Sequence, residues 1–368
     1  MSGIQIIGMG HAIPSGCMTN DDLSAYMDTS DEWIRPRTGI GARRICGEEE
    51  SQSVLAARAA EDAIKNSQIR KEEIGLIITA TISGDYMLPS TSCIVQEKLG
   101  IPSGIPAFDV NAACTGFVYA LQCADAILKW QKEHPESRPL SIEELRARKE
   151  KGDAGDVSET ANRPYALIIG VEQLTKMQNY EDRTTSILFG DGAAAAIVRL
   201  SDEHNFYCHV AAEGELEVLR VRALCRNQLN VRREGYPPLA AYSQEQVEDF
   251  KAEAYAQMDG KKIFRFATKV LSEEIERMEL AAGIPVSAVD YVVCHQANSR
   301  IIDHVRRRWK LPEEKFPMNL DQYGNTSGAS IPLVLYDLMA AGKLKKGTKI
   351  FCVGFGAGLT WAGACLEF

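Results

Sequence analysis

The sequence has no uninterrupted apolar stretch approaching the ~18 residues that mark a membrane-spanning helix, so no membrane span is expected. Its first residues, MSGIQIIGMGHAIPSG, lack a basic segment and a cleavage pattern, and glycines break the apolar run. That argues against a secretory signal. There is no C-x-x-C pair and no paired Cys/His spacing among the ten scattered cysteines, which argues against a zinc site and points to reduced thiols in cytoplasm. Positive charge is not in excess: the formal net charge is −9, which sets broad nucleic-acid binding aside. Low-complexity and collagen-like bias are missing too, and 45% hydrophobic with 25% charged residues describes a globular chain. At 368 residues it can bury a large core without staples.

What the sequence does contain is alternation. Residues 54–67 (VLAARAAEDAIKNS) have helical spacing, and 76–81 (LIITAT) read as a buried strand. A short strand over 107–110 runs into a helix over about 115–129. Apolar strands are predicted at 165–170 (YALIIG) and 193–200 (AAAAIVRL). Two more, 350–353 and 359–366, flank the turn Gly354-Phe355-Gly356-Ala357-Gly358. Strands and helices in this order predict a layered α/β fold.

A weak repeat supports duplication. Ile69, Ile74 and Ile77-Ile78 match Ile284, Val289 and Val292-Val293 at one constant offset. Coincidence between two ordinary helix-to-strand connections would look the same. Two stretches look inserted. Residues 130–163 are dense in charge and carry a capping-box pattern at Ser141-Ile142-Glu143-Glu144, and 215–259 are arginine-rich first and acidic later.

Three residues invite a chemical reading. Cys114, in AFDVNAACTGFVYALQCADAILK, sits where a strand end gives way to a helix start. Free N–H groups and the positive helix end there favour a thiolate nucleophile, although a cysteine in an apolar run can equally be a buried filler. His295, in DYVVCHQANSR, follows a strand at the sheet end where active sites gather in α/β folds; a cap or packing histidine is the plainer alternative. Asn325, in DQYGNTSGASIP, is either a helix cap or an amide that donates to a developing oxyanion.

Six motifs, in order, make the chain resemble the 3-oxoacyl-acyl-carrier-protein synthase III family of the thiolase superfamily. They are DEWIRPRTGI, NAACTGF, FGDGA, HQAN, YGNTSGASIP and GFGAGLTW, and they cover nearly everything but the insertions. The resemblance implies a thiolase-like fold of duplicated halves in a five-layered αβαβα arrangement. The half over residues 1–200 would carry the cysteine, and the half over 201–368 the histidine and asparagine. It also implies a homodimer. Cys114 would take an acyl group from acyl-CoA, with the backbone N–H groups of Cys114 and Ala357 as oxyanion hole. Malonyl-acyl-carrier protein would then lose carbon dioxide, His295 and Asn325 stabilising the charge, and attack the acyl-enzyme. No metal or redox cofactor is required, because sulfur carries the acyl group and carbon dioxide loss drives the step.

The resemblance further implies that Trp33, Arg37 and Asn298 bind CoA. Lys176 occupies a position where the family has an arginine against the adenine, and a lysine cannot stack as a guanidinium does. Arg300, Arg307 and Arg308 would receive an acidic carrier protein. Met87, Leu88 and Phe355 would shape the acyl pocket, Leu88 reaching into the partner subunit. Three other readings remain. One is a starter-loading condensing enzyme or acyltransferase of secondary metabolism, another a non-catalytic carrier-binding scaffold. The third, a hydroxymethylglutaryl-CoA synthase, needs a glutamate that the segment TATISGDYMLP does not offer.

Overall fold

The computed structural model describes residues 3–134, 142–143, 146, 163–204, 206–221 and 255–368. The capping box expected in the first insertion rests on Ser141 and Glu144, which lie outside the described residues, as does 222–254 of the second insertion.

Two sheets organise the chain. The first has five strands in the order β1-β7-β6-β4-β5: Gly3–Ala12 (β1), Ile74–Ala80 (β4), Ala107–Val110 (β5), Tyr165–Gln173 (β6) and Asp191–Ser201 (β7). Strand β4 runs parallel to β5 and β6, while β7 is antiparallel to both β1 and β6. A small antiparallel pair, Gly16–Thr19 (β2) with Ala42–Ile45 (β3), stands apart from it. The second sheet has the order β11-β12-β13-β8, from Tyr207–Glu215 (β8), Tyr291–Cys294 (β11), Lys349–Gly356 (β12) and Gly358–Glu367 (β13). Leu219–Arg220 (β9) and Gln257–Met258 (β10) form a second small pair.

The helices are Asn20–Leu23 (α1), Asp31–Thr38 (α2), Gln52–Ser67 (α3), Thr91–Leu99 (α4), Gly116–Glu133 (α5), Gly260–Ala282 (α6), Ser299–Trp309 (α7), Leu320–Tyr323 (α8) and Ser330–Ala340 (α9). Helices α3 and α4 cover the outer face of the first sheet, and α6 with α7 that of the second. Between the sheets lie α5 and α9; α5 touches β4 and β6 on one side and β8 and β13 on the other. Buried on both faces, β4 is entirely inaccessible, which is why it reads as a continuous apolar run rather than an alternating one. The result is the five-layered αβαβα arrangement that the resemblance implied.

The repeat has a structural counterpart. Helix α3 ends at Ser67, a 3-10 turn spans Lys71–Glu73, and β4 begins at Ile74. Helix α6 ends at Ala282, a 3-10 turn spans Val286–Ala288, and β11 begins at Tyr291. The two connections keep the same spacing from helix end to turn, and each feeds a buried strand that pairs in parallel with its neighbour.

Candidate active site

Strand β5 ends at Val110, and a 3-10 turn over Ala113–Thr115 leads into α5. Ala113 takes a left-handed φ of +46°, a conformation costly for a residue with a Cβ. The turn is held from the other half of the chain. Thr115 Oγ1 donates to Ala112 O at 2.7 Å and lies 3.0 Å from Thr360 Oγ1, which is itself 3.1 Å from Ala357 O. Gly356 permits the approach: a Cβ there would fall 2.8 Å from Cys114 N and 3.3 Å from Ala113 Cβ. The sequence-predicted Ala357 therefore follows directly on the residue that backs the Cys114 peptide.

The state of the sulfur differs from expectation. Cys114 is only 8% exposed, and burial pushes its thiol up to about 12. The Ser327 hydroxyl pulls the other way, the buried Glu172 carboxyl pushes further up, and the backbone N–H of Cys114 pulls down. A helix start contributes only ~0.3–1 kcal/mol, which desolvation of a buried thiolate outweighs. Among the described residues no cation counters it. The resting sulfur is a thiol, not the thiolate that its helix-start position suggested.

His295 follows β11, and its backbone N–H donates to Val353 O at 2.9 Å. The ring is buried, stands edge-on to Phe355 with centroids 5.2 Å apart, and shares a 2.6 Å hydrogen bond between Nδ1 and Ser330 Oγ. Burial pulls its pKa down to about 3, so the imidazole is neutral at ordinary pH. Its Nε2 is buried with no partner.

Asn325 is seated by the segment containing the FGDGA motif. Its N–H donates to Leu188 O at 2.8 Å, and its carbonyl accepts from Gly190 N at 3.0 Å. Its Oδ1 accepts from Ser327 N at 2.8 Å, which leaves the side-chain NH2 as a donor. Two glycines let this turn settle on the first sheet. A Cβ on Gly190 would lie 2.2 Å from Tyr323 O, and one on Gly170 of β6 would lie 2.5 Å from Gly328 O. Cys114, His295 and Asn325 thus converge on the segment 325–330: Ser327 adjoins the sulfur, Ser330 holds the imidazole, and Asn325 opens the turn.

The outer residues divide. Trp33 on α2 has two guanidinium groups over its ring, with Arg37 Cζ 4.7 Å and Arg183 Cζ 4.8 Å from its centroid. Asn298 donates to Arg37 O at 3.1 Å and accepts from Arg300 N at 2.9 Å, tying the start of α7 to α2. Lys176 is held elsewhere. Its ammonium donates to Ser83 O at 2.5 Å and Gly84 O at 3.3 Å, and stands 3.9 Å from Asp85. On α7, Ile302 and Val305 face the core while Arg300, Arg307 and Arg308 are exposed; Arg306 instead pairs with Asp303 at 3.3 Å. Phe355 is buried, whereas Met87 and Leu88 are 79% and 86% exposed, so the three do not line one pocket within a single chain.

Four residues that sequence reasoning passed over belong to this neighbourhood: Glu172, Arg183, Ser327 and Ser330. A carboxylate inside the apolar run YALIIGVE was a visible signal, since charged residues are seldom buried without purpose. The two serines sat within a motif already singled out. Nothing local marked Arg183. Among the described residues no group of three or more His, Cys, Asp or Glu side chains could hold a metal ion.

Comparison with known proteins identifies the family. The chain matches the family profile described as 3-oxoacyl-[acyl-carrier-protein (ACP)] synthase III over residues 154–214, and that of its C-terminal part over 280–368. A beta-ketoacyl-[acyl-carrier-protein] synthase III of Clostridium acetobutylicum is 38% identical over 368 residues, covering 100% of this chain and 99% of the relative. The crystal structure of 3-oxoacyl-[acyl-carrier-protein] synthase III from Aquifex aeolicus superposes with a TM-score of 0.79 at 34% identity, covering 100% of both chains. That of Pseudomonas aeruginosa gives 0.80 at 29% identity, covering 100% of this chain and 98% of the other. With full-length identity at this level and the cysteine, histidine and asparagine gathered at one turn, the chain belongs to the beta-ketoacyl-[acyl-carrier-protein] synthase III family.

Proposed function

We propose that the protein condenses an acyl-CoA primer with malonyl-acyl-carrier protein through an acyl group carried on Cys114, giving a 3-oxoacyl-carrier protein at the start of fatty-acid synthesis. The observation that carries the residue roles is the convergence of Cys114, His295 and Asn325 on the segment 325–330. In the first half-reaction Cys114 Sγ attacks the primer thioester and CoA leaves. Backbone N–H groups of Cys114 and Ala357 receive the developing oxyanion.

In the second half-reaction malonyl-carrier protein loses carbon dioxide, and negative charge grows on its thioester oxygen. A neutral imidazole whose Nδ1 accepts from Ser330 presents Nε2–H to that oxygen, and the Asn325 NH2 is the second donor. The resulting carbanion attacks the acyl carbon on Cys114, and collapse of the tetrahedral intermediate returns the sulfur. Trp33, Arg37, Asn298 and Arg183 form the CoA surface, with the Arg183 guanidinium where an aromatic-stacking cation is needed. Lys176, engaged with the loop at Ser83 and Gly84, contributes to it less directly.

Arg300, Arg307 and Arg308 form a positive patch on a net-negative chain, suited to an acidic carrier protein. The protein acts as a homodimer in which Leu88 and Met87 complete the partner's acyl pocket, in the cytoplasm, without a metal or redox cofactor. Exposure of three consecutive large apolar side chains at Tyr86, Met87 and Leu88 supports such a partner. No helix among the described residues is long and apolar enough to cross a membrane.

Mass spectrometry of the intact protein after incubation with acetyl-, isobutyryl- and octanoyl-CoA tests the reading. Acyl mass should appear on the native chain and be lost in Cys114→Ala. A native chain that gains no acyl mass from any thioester sinks the proposal.

A further inference from the structure

Cys114 must give up a proton before it accepts an acyl group, and helix-start dipoles alone do not remove it. His295 is a poor acceptor, because its Nδ1 is already engaged by Ser330 and burial disfavours its protonation. Glu172 is better placed. It lies near the end of β6, is wholly inaccessible, and faces the 81–83 segment beyond β4. Its Oε2 accepts from Ser83 Oγ at 2.5 Å, Ile82 N at 3.1 Å and Thr81 Oγ1 at 3.2 Å. Its Oε1 is buried and unpartnered, directed at the turn of residues 327–328, where a Cβ on Gly328 would lie 3.6 Å away.

Ser327 stands between this oxygen and the sulfur. Its hydroxyl is near enough to act on both Cys114 and Glu172, yet in the resting geometry it completes a well-formed hydrogen bond to neither. Its φ of +47° is one that glycine would adopt without strain. A serine kept there, with its N–H bonded to Asn325 Oδ1, keeps its hydroxyl beside the sulfur. Two buried, unsatisfied oxygens next to a buried thiol form a short proton path waiting for a change of partners.

We propose that Glu172 is the proton acceptor for Cys114, reached through the Ser327 hydroxyl. This rests on the condensing function above and adds the base for its first half-reaction. As Sγ bonds to the primer carbonyl carbon, the thiol proton passes to Ser327 Oγ, and the hydroxyl proton passes to Glu172 Oε1. The bond from that carbon to the CoA sulfur breaks, CoA leaves with the electron pair as thiolate, and it takes up a proton from water. After condensation, Cys114 leaves as thiolate and recovers a proton from Glu172 along the same path, so charge and atoms balance over the cycle.

Burial raises the Glu172 carboxyl to about 7, where it is poised to exchange a proton at neutral pH. The other titratable groups around it are accounted for. Cys114 faces it across Ser327. Asp85 and Lys176 lie 3.9 Å apart, and Asp191 on β7 accepts from Thr175 and Cys46. Helix α3 contributes the neutral Gln52, which donates to Thr81.

The test compares wild type, Glu172→Gln and Ser327→Gly. Alkylation of Cys114 by iodoacetamide and acylation by acetyl-CoA are each followed from about pH 5 to about pH 9. Wild-type rates should rise through about pH 7. Both variants should lose that rise and react at least about tenfold more slowly at neutral pH, while malonyl-carrier decarboxylation, which needs no thiol ionisation, persists. A faster reaction of Glu172→Gln at neutral pH overturns the proposal, because removing a negative neighbour alone makes the thiol easier to ionise. So does an unchanged pH profile, or equal loss of acylation and decarboxylation, which marks a purely structural role. If wild type is alkylated but never acylated by CoA thioesters, the condensing function fails while the alkylation profile still decides the relay.

Discussion

Replacing Glu172 by glutamine changes how the stability of the fold depends on pH, whatever the protein's catalytic role. In the folded chain the carboxyl sits at about 7, against its ordinary value of 4.5, because burial disfavours the charged form more than its three donors favour it. The native state therefore binds this proton more tightly than the unfolded chain. Its contribution to stability is fully present below about pH 4.5, falls as pH rises, and is lost above about pH 7. At ~1.36 kcal/mol per pH unit, the loss between about pH 5 and about pH 8 is about 2–3 kcal/mol. For a chain of 368 residues, that corresponds to about 3–4 °C in Tm. Glutamine cannot ionise. Its own packing and hydrogen bonds add an offset that does not vary with pH. Scanning calorimetry of both proteins should show the Tm of the variant gaining on wild type by that amount as pH rises. A Tm difference constant with pH, or a variant that loses ground to wild type as pH rises, would refute a buried carboxyl titrating near neutrality.

Other perturbations separate the two half-reactions. Asn325→Ala should slow malonyl-carrier decarboxylation by about 10²–10³-fold while Cys114 acylation by CoA thioester continues, measured by carbon dioxide release beside intact mass. Ser330→Ala removes the 2.6 Å bond that orients His295, and kcat should fall about 10- to 100-fold with little change in the KM for acyl-CoA. Gly356→Ala drives a methyl to within 2.8 Å of Cys114 N; Tm should drop by the equivalent of about 1–3 kcal/mol, and acylation should fail with it. Arg307→Glu with Arg308→Glu should raise the KM for malonyl-carrier protein and weaken its salt dependence, leaving CoA-dependent acylation alone.

Much of the architecture was legible because burial writes itself into short segments. Strands β4 and β7 are apolar throughout their cores since sheet neighbours and helices cover both faces, and their composition announces this. The constant spacing from helix end to 3-10 turn survived as a faint repeat at Ile69 and Ile284. Cys114, His295 and Asn325 were nameable because each stands at a strand end or glycine-rich turn with a recognisable motif. Ser327 and Ser330 were within view but had no assigned task, since their partners come from elsewhere in the chain. Arg183 had no local signal at all; only the chain's path past α2 lays its guanidinium on Trp33.

Residue order by itself determined the layered α/β fold, the strand-turn-helix that presents Cys114, and the set of polar side chains available to a condensing site. The tertiary structure alone decided the ionisation of that site. Desolvation is a property of everything packed around an atom, not of its neighbours in sequence. A sulfur at a helix start was expected as thiolate, and the layers closing over it made it a thiol. The same closure left His295 neutral and set a carboxyl from β6 beside Ser327, many residues away along the chain. Charge in a buried site is settled by packing, and packing is known only once the chain has folded.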